Sequence, residues 1–243
     1  MVVTSDCLSG RSVVILGGTS GLGLATAKAA KEAGADVAIA GRDPEKASEA
    51  VTELGGGVVS GAFDATCETD LMAFFNAIEK VDHVVSFTGE QPKSPVRSTD
   101  QRLLHRAIDA RVSVARHACV HASPRMPTEG SFVFCSGVSS ARPRANRSAG
   151  AVATAALESF VRAMAVELAP VRVNAVCPGA FDTDVLRKSL EGDYSEACER
   201  LSGGIPVGRV GRPEELAHAV LFLLTNTYTT GTVIRVDGGL LLI

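Results

Sequence analysis

The chain of 243 residues has no tryptophan and only two tyrosines, Tyr194 and Tyr228. Its basic residues are 18 arginines against six lysines, and no lysine falls between Lys93 and Lys188. Two side chains that often move protons are therefore missing from the middle of the sequence. The six cysteines (Cys7, Cys67, Cys119, Cys135, Cys177 and Cys198) form no CxxC pair. No histidine joins them at metal-ligand spacing, so no metal site is expected. Most sit in apolar runs, where a free Cys packs as a small hydrophobe. Reduced thiols and a cytoplasmic setting are expected. Neither sign of charge dominates: the net charge is -3, which argues for neither nucleic acid nor a membrane surface as partner. The apolar run within MVVTSDCLSGRSVVILGG is too short for a signal peptide or a spanning helix.

What the chain does have is a regular alternation of apolar patterns. With 46% apolar and 21% charged residues it can build one large α/β core. Runs of strand length occur at Val13–Leu16, Asp36–Ala40, Val58–Phe63, His83–Phe87, Ser131–Cys135, Val171–Val176 and Thr232–Val236. Helical patterns fall between them, around 21–33, 44–54, 68–80, 99–122, 147–169, 193–202 and 213–225. Strands alternating with helices imply right-handed crossovers and a doubly wound parallel sheet of seven strands, covered on both faces. No repeat, low-complexity tract or linker divides residues 1–243, so one domain is expected.

The first strand runs into Gly17-Gly18-Thr19-Ser20-Gly21-Leu22-Gly23, and a helix follows at once. Such a turn lets backbone N–H groups approach a pyrophosphate, and the helix N-terminus adds roughly half a positive charge there. The second strand ends Ala40-Gly41-Arg42-Asp43-Pro44. An NAD-binding fold commonly places an acid here for the ribose 2′-hydroxyl. This chain has Gly, then Arg, and a guanidinium suits a 2′-phosphate. NADP(H) is the expected cofactor. In the plainer reading Arg42 is a solvated loop residue and Asp43 only caps the next helix.

The GxxxGxG spacing resembles the short-chain dehydrogenase/reductase (SDR) family, and the resemblance continues along the whole chain. Asp64-Ala65 is similar to the family's adenine-contacting pair. The segment Val171–Gly179, with Thr183 after it, resembles "RVNAVxPGxxxT". Gly208-Arg209 through Pro213-Glu214-Glu215, and Val236-Asp237-Gly238-Gly239, resemble the C-terminal signatures. The resemblance implies a Rossmann fold, a small-molecule substrate and a homo-dimer or homo-tetramer. It also implies that Pro178, Gly179 and Thr183 hold the nicotinamide carboxamide. The apolar, weakly charged 147–169 pattern supports self-association, because such a helix needs covering on more than the sheet side.

The reductase machinery that the family carries is absent. Its Ser position corresponds to Gly137, next to Ser136, its Tyr to Gly150 and its Lys to Thr154. The family's "NNAG" stretch is altered to Ser86-Phe87-Thr88-Gly89. Losing a general acid costs about 10²–10⁴ in rate. Arg111 stands at the family's catalytic Asn position, on the same helical stripe as Leu104, Ile108, Ala115 and Cys119. It is either a buried Arg paired with a local carboxylate or a clamp for an anion or carbonyl. Arg111 and Ser136 are the catalytic candidates. The Arg-rich loop 141–147 is expected to be solvated, and His105 and His117 to be ordinary helix residues. Three functions stay open. One is an atypical NADP(H) reductase acting on an iminium or an acid-bearing substrate. A second is a non-redox cyclase or isomerase holding NADP(H) structurally. The third is an inactive nucleotide-binding partner protein.

Overall fold

The structure, a computed structural model, describes residues 6–190 and 193–243. Residues 1–5 of the stretch weighed above as a leader lie outside the described residues. In chain order the elements begin β1 (Ser12–Leu16), α1 (Gly21–Glu32), β2 (Asp36–Gly41), α2 (Pro44–Glu53), β3 (Val59–Ala62), α3 (Glu68–Asn76) and β4 (His83–Ser86). They continue α4 (Gln101–Ile108), α5 (Val114–Ala122), β5 (Ser131–Cys135), α6 (Ser148–Glu167), β6 (Arg172–Pro178), α7 (Asp184–Ser189), α8 (Tyr194–Ser202), α9 (Pro213–Thr225) and β7 (Val233–Val236).

The strands pair in the order β3-β2-β1-β4-β5-β6-β7, every pair parallel. The central strands are unbroken apolar runs because helices cover both faces. One layer packs α1, α2 and α9 on the sheet through Ala27, Ala30, Ala50, Val220 and Leu223. The other packs α3, α5 and α6 through Leu71, Phe75, Val114, Leu157 and Val161. Chain order reverses between β1 and β4, which opens a crevice beyond the carboxyl ends of these strands. This is the doubly wound α/β sheet expected from the alternating pattern.

Three departures from the sequence pattern have physical causes. The helix expected over 99–122 is interrupted by a π-helical turn at Asp109–Ser113, whose buried residue is Arg111. Such turns insert one residue and often mark functional sites. The helix expected to reach Lys80 stops at Asn76, and Arg125 donates to the carbonyls of Phe75, in the last turn, and Ile78, beyond it. Helix α7 gave no periodic signal because it has only six residues. Its N-terminus is held by Thr183 Oγ1, which accepts from the Leu186 N–H at 3.4 Å.

At the opposite end of the sheet the fully buried Asp82 carboxylate ties β1 to the approach of β4. It accepts from the Ser12 N–H at 2.8 Å and from Arg11 at 3.0 Å, and Lys80 lies 2.9 Å away. Burial pushes its pKa up, but the Ser12 N–H, Lys80 and Arg11 together outweigh this and hold it below the usual carboxylate value. A depressed folded pKa gives stability that is present above the unfolded pKa and lost as pH falls through the folded one. Asp82→Asn is expected to cost about 1–3 kcal/mol at pH 7 and to flatten the acid limb of stability against pH. Urea melts between pH 3 and 7 check both, and an unchanged acid limb would refute the assignment.

Candidate active site

The Gly-rich turn is shaped by close approach. A Cβ at residue 23 would lie 2.0 Å from the Gly17 carbonyl oxygen, so only glycine allows α1 to start here. Ser20 stands at the N-cap without capping by its side chain, and no acidic residue occupies the first turn. The N-terminal N–H groups of α1 are left for an external anion, beside Gly21, Leu22 and Gly23. A cavity of about 390 Å³ adjoins this terminus, lined by Lys46 and Arg187 but also by Glu49, Glu53, Asp182 and Asp184. Thr183 comes down over the turn, within 3.4 Å of where a Gly21 Cβ would be. The free N–H donors and the close-packed glycine cradle fit the pyrophosphate of a dinucleotide.

The end of β2 also has little room. A Cβ at Gly41 would meet Thr19 Oγ1 at 2.4 Å, so any larger residue there requires the Thr19 side chain to move. Asp43 is committed elsewhere: its Oδ1 accepts from the Glu45 and Lys46 N–H groups and caps α2. Arg42 stays mostly exposed, with Nη1 at 3.4 Å from Glu90 Oε1. Asp64 is held below the usual carboxylate range, first by the Thr66 N–H and further by the Thr66 hydroxyl and nearby Arg42. Ala65, beside it, packs half-buried against the core.

The carboxyl ends of β4, β5 and β6 hold the other candidates. Gly179 follows Pro178 off β6 and donates its N–H to the Val236 carbonyl at 2.9 Å. Thr154, fully buried, donates to the Gly150 carbonyl of its own helix at 2.9 Å. Ser136 is buried and its hydroxyl donates to Glu158 at 2.6 Å, where Ser140 donates too. That pairing fixes the β5 exit to α6 and leaves Ser136 occupied. Gly137 and Gly150 face one small space, and the Gln91 amide stands in it. Its Nε2 lies 3.3 Å from a Gly137 Cβ position and its Oε1 3.4 Å from that of Gly150.

Arg111 is buried, only 6% exposed, and no carboxylate pairs with it among the described residues. Its Nη1 donates to the Cys135 carbonyl at 3.0 Å, and its Nε has no partner among the described residues. Burial lowers its pKa from the ordinary guanidinium value, with Cys135 beside it opposing. The guanidinium packs on the bare Cα of Gly89, since a Cβ there would lie 2.4 Å from Nη1. A guanidinium offers five donors, so this one is left with capacity to bind an anion or a carbonyl.

Gln91, Glu90 and Ser94 were not singled out from the sequence. All three lie on the irregular segment between β4 and α4, where no periodicity exists to read. Ser94 is fully buried: its N–H donates to the Asn146 carbonyl at 2.7 Å, and its Oγ accepts from the Ala149 N–H at 3.0 Å. These bonds staple the segment to the start of α6. In the Arg-rich loop, mostly exposed as expected, Arg142 reaches the Leu240 carbonyl and Arg147 the Gln91 carbonyl. The histidines stand apart. His83 pairs with Ser131 at the amino ends of β4 and β5, and His117 and His121 pair with Glu68.

A parallel sheet with this strand order and this phosphate cradle defines a dinucleotide-binding α/β protein. A family model described as enoyl-(acyl carrier protein) reductase matches residues 17–241. The short-chain dehydrogenase/reductase ucsE of Acremonium sp. is 30% identical over 98% of both chains. The mouse 3-oxoacyl-[acyl-carrier-protein] reductase is 32% identical over 93% of this chain and 96% of its own. Among solved structures, the MalC reductase/Diels-Alderase of Malbranchea aurantiaca superposes with a TM-score of 0.91 at 30% identity, over 98% of this chain and 99% of that one. A short-chain oxidoreductase of Pseudomonas aeruginosa PAO1, described as containing an atypical catalytic center, gives 0.89 at 29% identity, over 96% and 98%. The chain belongs to the short-chain dehydrogenase/reductase family and is an NAD(P)-dependent oxidoreductase of that type.

The Gly89–Arg111 contact generates a stability prediction. Gly89→Ala is expected to cost about 1–3 kcal/mol by overpacking. In the Arg111→Ala background the same change should cost less, because the clashing atoms are gone, while the positive φ of residue 89 (152°) keeps part of the cost. A thermal double-mutant cycle measures the difference, and additive losses would show that the contact does not govern this position.

Proposed function

We propose that this chain is an NADP(H)-dependent oxidoreductase that works without a tyrosine acid, with the Arg111 guanidinium holding the substrate's anionic or carbonyl group. The observation that carries the reading is the buried Arg111 with an unpartnered Nε, in a chain with Gly137 and Gly150 at the positions where the family's Ser and Tyr stand. The bound nucleotide supplies or accepts the hydride. The α1 N-terminus and Gly17–Gly23 bind its pyrophosphate, and Arg42 binds its 2′-phosphate, glycine standing at 41 where a ribose-binding acid would be. Asp64 and Ala65 border the adenine, Gly89 floors the site, and Pro178, Gly179 and Thr183 position the nicotinamide end.

Arg111 orients and stabilises but moves no proton, because a guanidinium stays protonated at any working pH. Thr154, bonded to its own helix, tunes no neighbour. The Gln91 amide fills the space that Gly137 and Gly150 leave, so a substrate group entering there displaces it. A second reading has one specific support: the similar MalC carries reductase and Diels-Alderase in its description, so a cyclising activity of this pocket remains the alternative. Buried thiols suit a cytoplasmic setting, burial having pushed Cys119 and Cys177 up to about 12 and Cys135 to about 11.

Arg111→Gln is the test. Turnover is expected to fall about 10²–10³-fold with NADPH affinity and melting temperature kept, as for a lost transition-state donor. Normal turnover in a destabilised protein would assign Arg111 to the fold. Simple ketones should be reduced at least about 10²-fold more slowly than is usual for the family. Rapid ketone turnover would sink the tyrosine-free reading, and product without NADPH consumption would favour the cyclase.

Self-association belongs to the same proposal. Helix α6 is long and apolar enough to cross a membrane by length and composition, yet only 39% of it is buried. Val152 and Val166 are 47% and 80% exposed on it. Covering by a second copy would remove this surface from water. Light scattering at micromolar concentration is expected to show a dimer or tetramer, shifted toward monomer by Val152→Glu. A monodisperse wild-type monomer refutes it.

A further inference from the structure

We propose that Arg106 is a second 2′-phosphate ligand, and that Glu90 is an internal anion which holds Arg42 and Arg106 together until the phosphate displaces it. The proposal rests on the NADP(H) reading above. Arg42 leaves the end of β2 and Arg106 leaves α4, from opposite sides of the crevice. Glu90 joins them: Oε1 lies 3.4 Å from Arg42 Nη1 and Oε2 lies 3.4 Å from Arg106 Nη2. One carboxylate bridging two guanidinia marks a site built for a larger anion of similar shape. A phosphate monoester has comparable oxygen spacing, more negative charge and a third oxygen, and guanidinium forks bind it bidentately.

Two features make the exchange easy. Both contacts are longer than a charge-assisted hydrogen bond of about 2.7–2.9 Å. Both guanidinia are well solvated, their side chains 69% and 66% exposed, so each Glu90 pair contributes little. Without Glu90 the two cations would repel one another across the crevice, and with it they stay poised. A nucleotide bearing only a 2′-hydroxyl brings no charge that could replace the carboxylate. NAD(H) therefore leaves the Glu90 bridge in place, and displacing the bridge is a cost that NADP(H) alone meets.

The test titrates NADPH and NADH into the full chain and into Arg42→Gln, Arg106→Gln, Arg106→Lys and Glu90→Gln, with melting temperatures measured alongside. Arg106→Gln is expected to weaken NADPH about tenfold, the value of one lost charged hydrogen bond, and to leave NADH within about twofold. Arg106→Lys should recover part of the loss by keeping the charge. Glu90→Gln should tighten NADPH several-fold, about twofold to fivefold on the scale of a weak exposed pair, without affecting NADH. If Arg106→Gln leaves NADPH binding at the wild-type level while Arg42→Gln lowers it, the clamp is overturned and the NADP(H) reading stands. If Arg106→Gln weakens both nucleotides alike, its role is structural and the clamp is overturned as well. A Glu90→Gln chain that binds NADPH more weakly overturns the exchange. Wild-type protein that binds the two nucleotides equally overturns the reading beneath the proposal.

Discussion

The contact on which most of the site depends is the guanidinium of Arg111 resting on the bare Cα of Gly89. A charge this buried is costly unless its donors are used, and among the described residues the Cys135 carbonyl takes one of them while Nε has no partner. The π turn sets Arg111 into the helix face, and Gly89 yields it the necessary room. That room decides where the chain goes on leaving β4. From Gly89 the backbone carries Glu90 to Arg42 and Arg106, puts Gln91 between Gly137 and Gly150, and brings Ser94 to the start of α6. Glycine at 89 answers two demands, room for the guanidinium and a φ of 152° that other residues rarely adopt, and a different residue at 111 would remove only the first.

The same segment links the two ends of the crevice. On the proposed binding mode Glu90 lies at the nucleotide's adenosine end and Gln91, its neighbour in the chain, at the reactive end. Few packed contacts hold them: Ser94 is fixed by buried hydrogen bonds, while the Glu90 and Gln91 side chains interact mainly through solvent-exposed polar groups. Segments with this character sit at the low-stability end of a fold, and binding loops are drawn from there. Rearrangement is cheapest where the nucleotide and the substrate must both be admitted.

The sheet was legible because seven apolar runs alternate with helical patterns, and a parallel sheet covered on both faces demands that pattern. The phosphate turn was legible because glycine spacing follows from backbone contact, as the 2.0 Å approach at Gly23 makes plain. Asp43 was ambiguous in the sequence, since an acid at that point can serve a ribose or a helix N-terminus. Only the geometry shows its oxygen turned to Glu45 and Lys46. The π turn escaped notice because one inserted residue barely disturbs a stripe of buried positions. Glu90, Gln91 and Ser94 were illegible for a deeper reason: on an irregular segment a residue's role comes from what the rest of the fold places opposite it. Ser136 illustrates the converse, a hydroxyl next to the key position in sequence yet occupied by Glu158 in space.

On the tyrosine-free reading, charge balance narrows what the pocket can take. Hydride addition to a carbonyl creates an alkoxide, and Arg111 can stabilise that charge although the proton must then come from water. Hydride addition to an iminium needs no proton, because it neutralises a cation already present. That cation, however, would approach a fixed guanidinium, and two like charges 4 Å apart cost about 4 kcal/mol at an effective dielectric of 20. An iminium is admitted only if the same molecule brings an anion to Arg111 and turns the repulsion into a pair. The carbonyl case needs the anion at the transition state, and the iminium case needs it in the ground state. Either way the group that Arg111 grips is negative, so the substrate's anion, more than its electrophile, determines what the site can select.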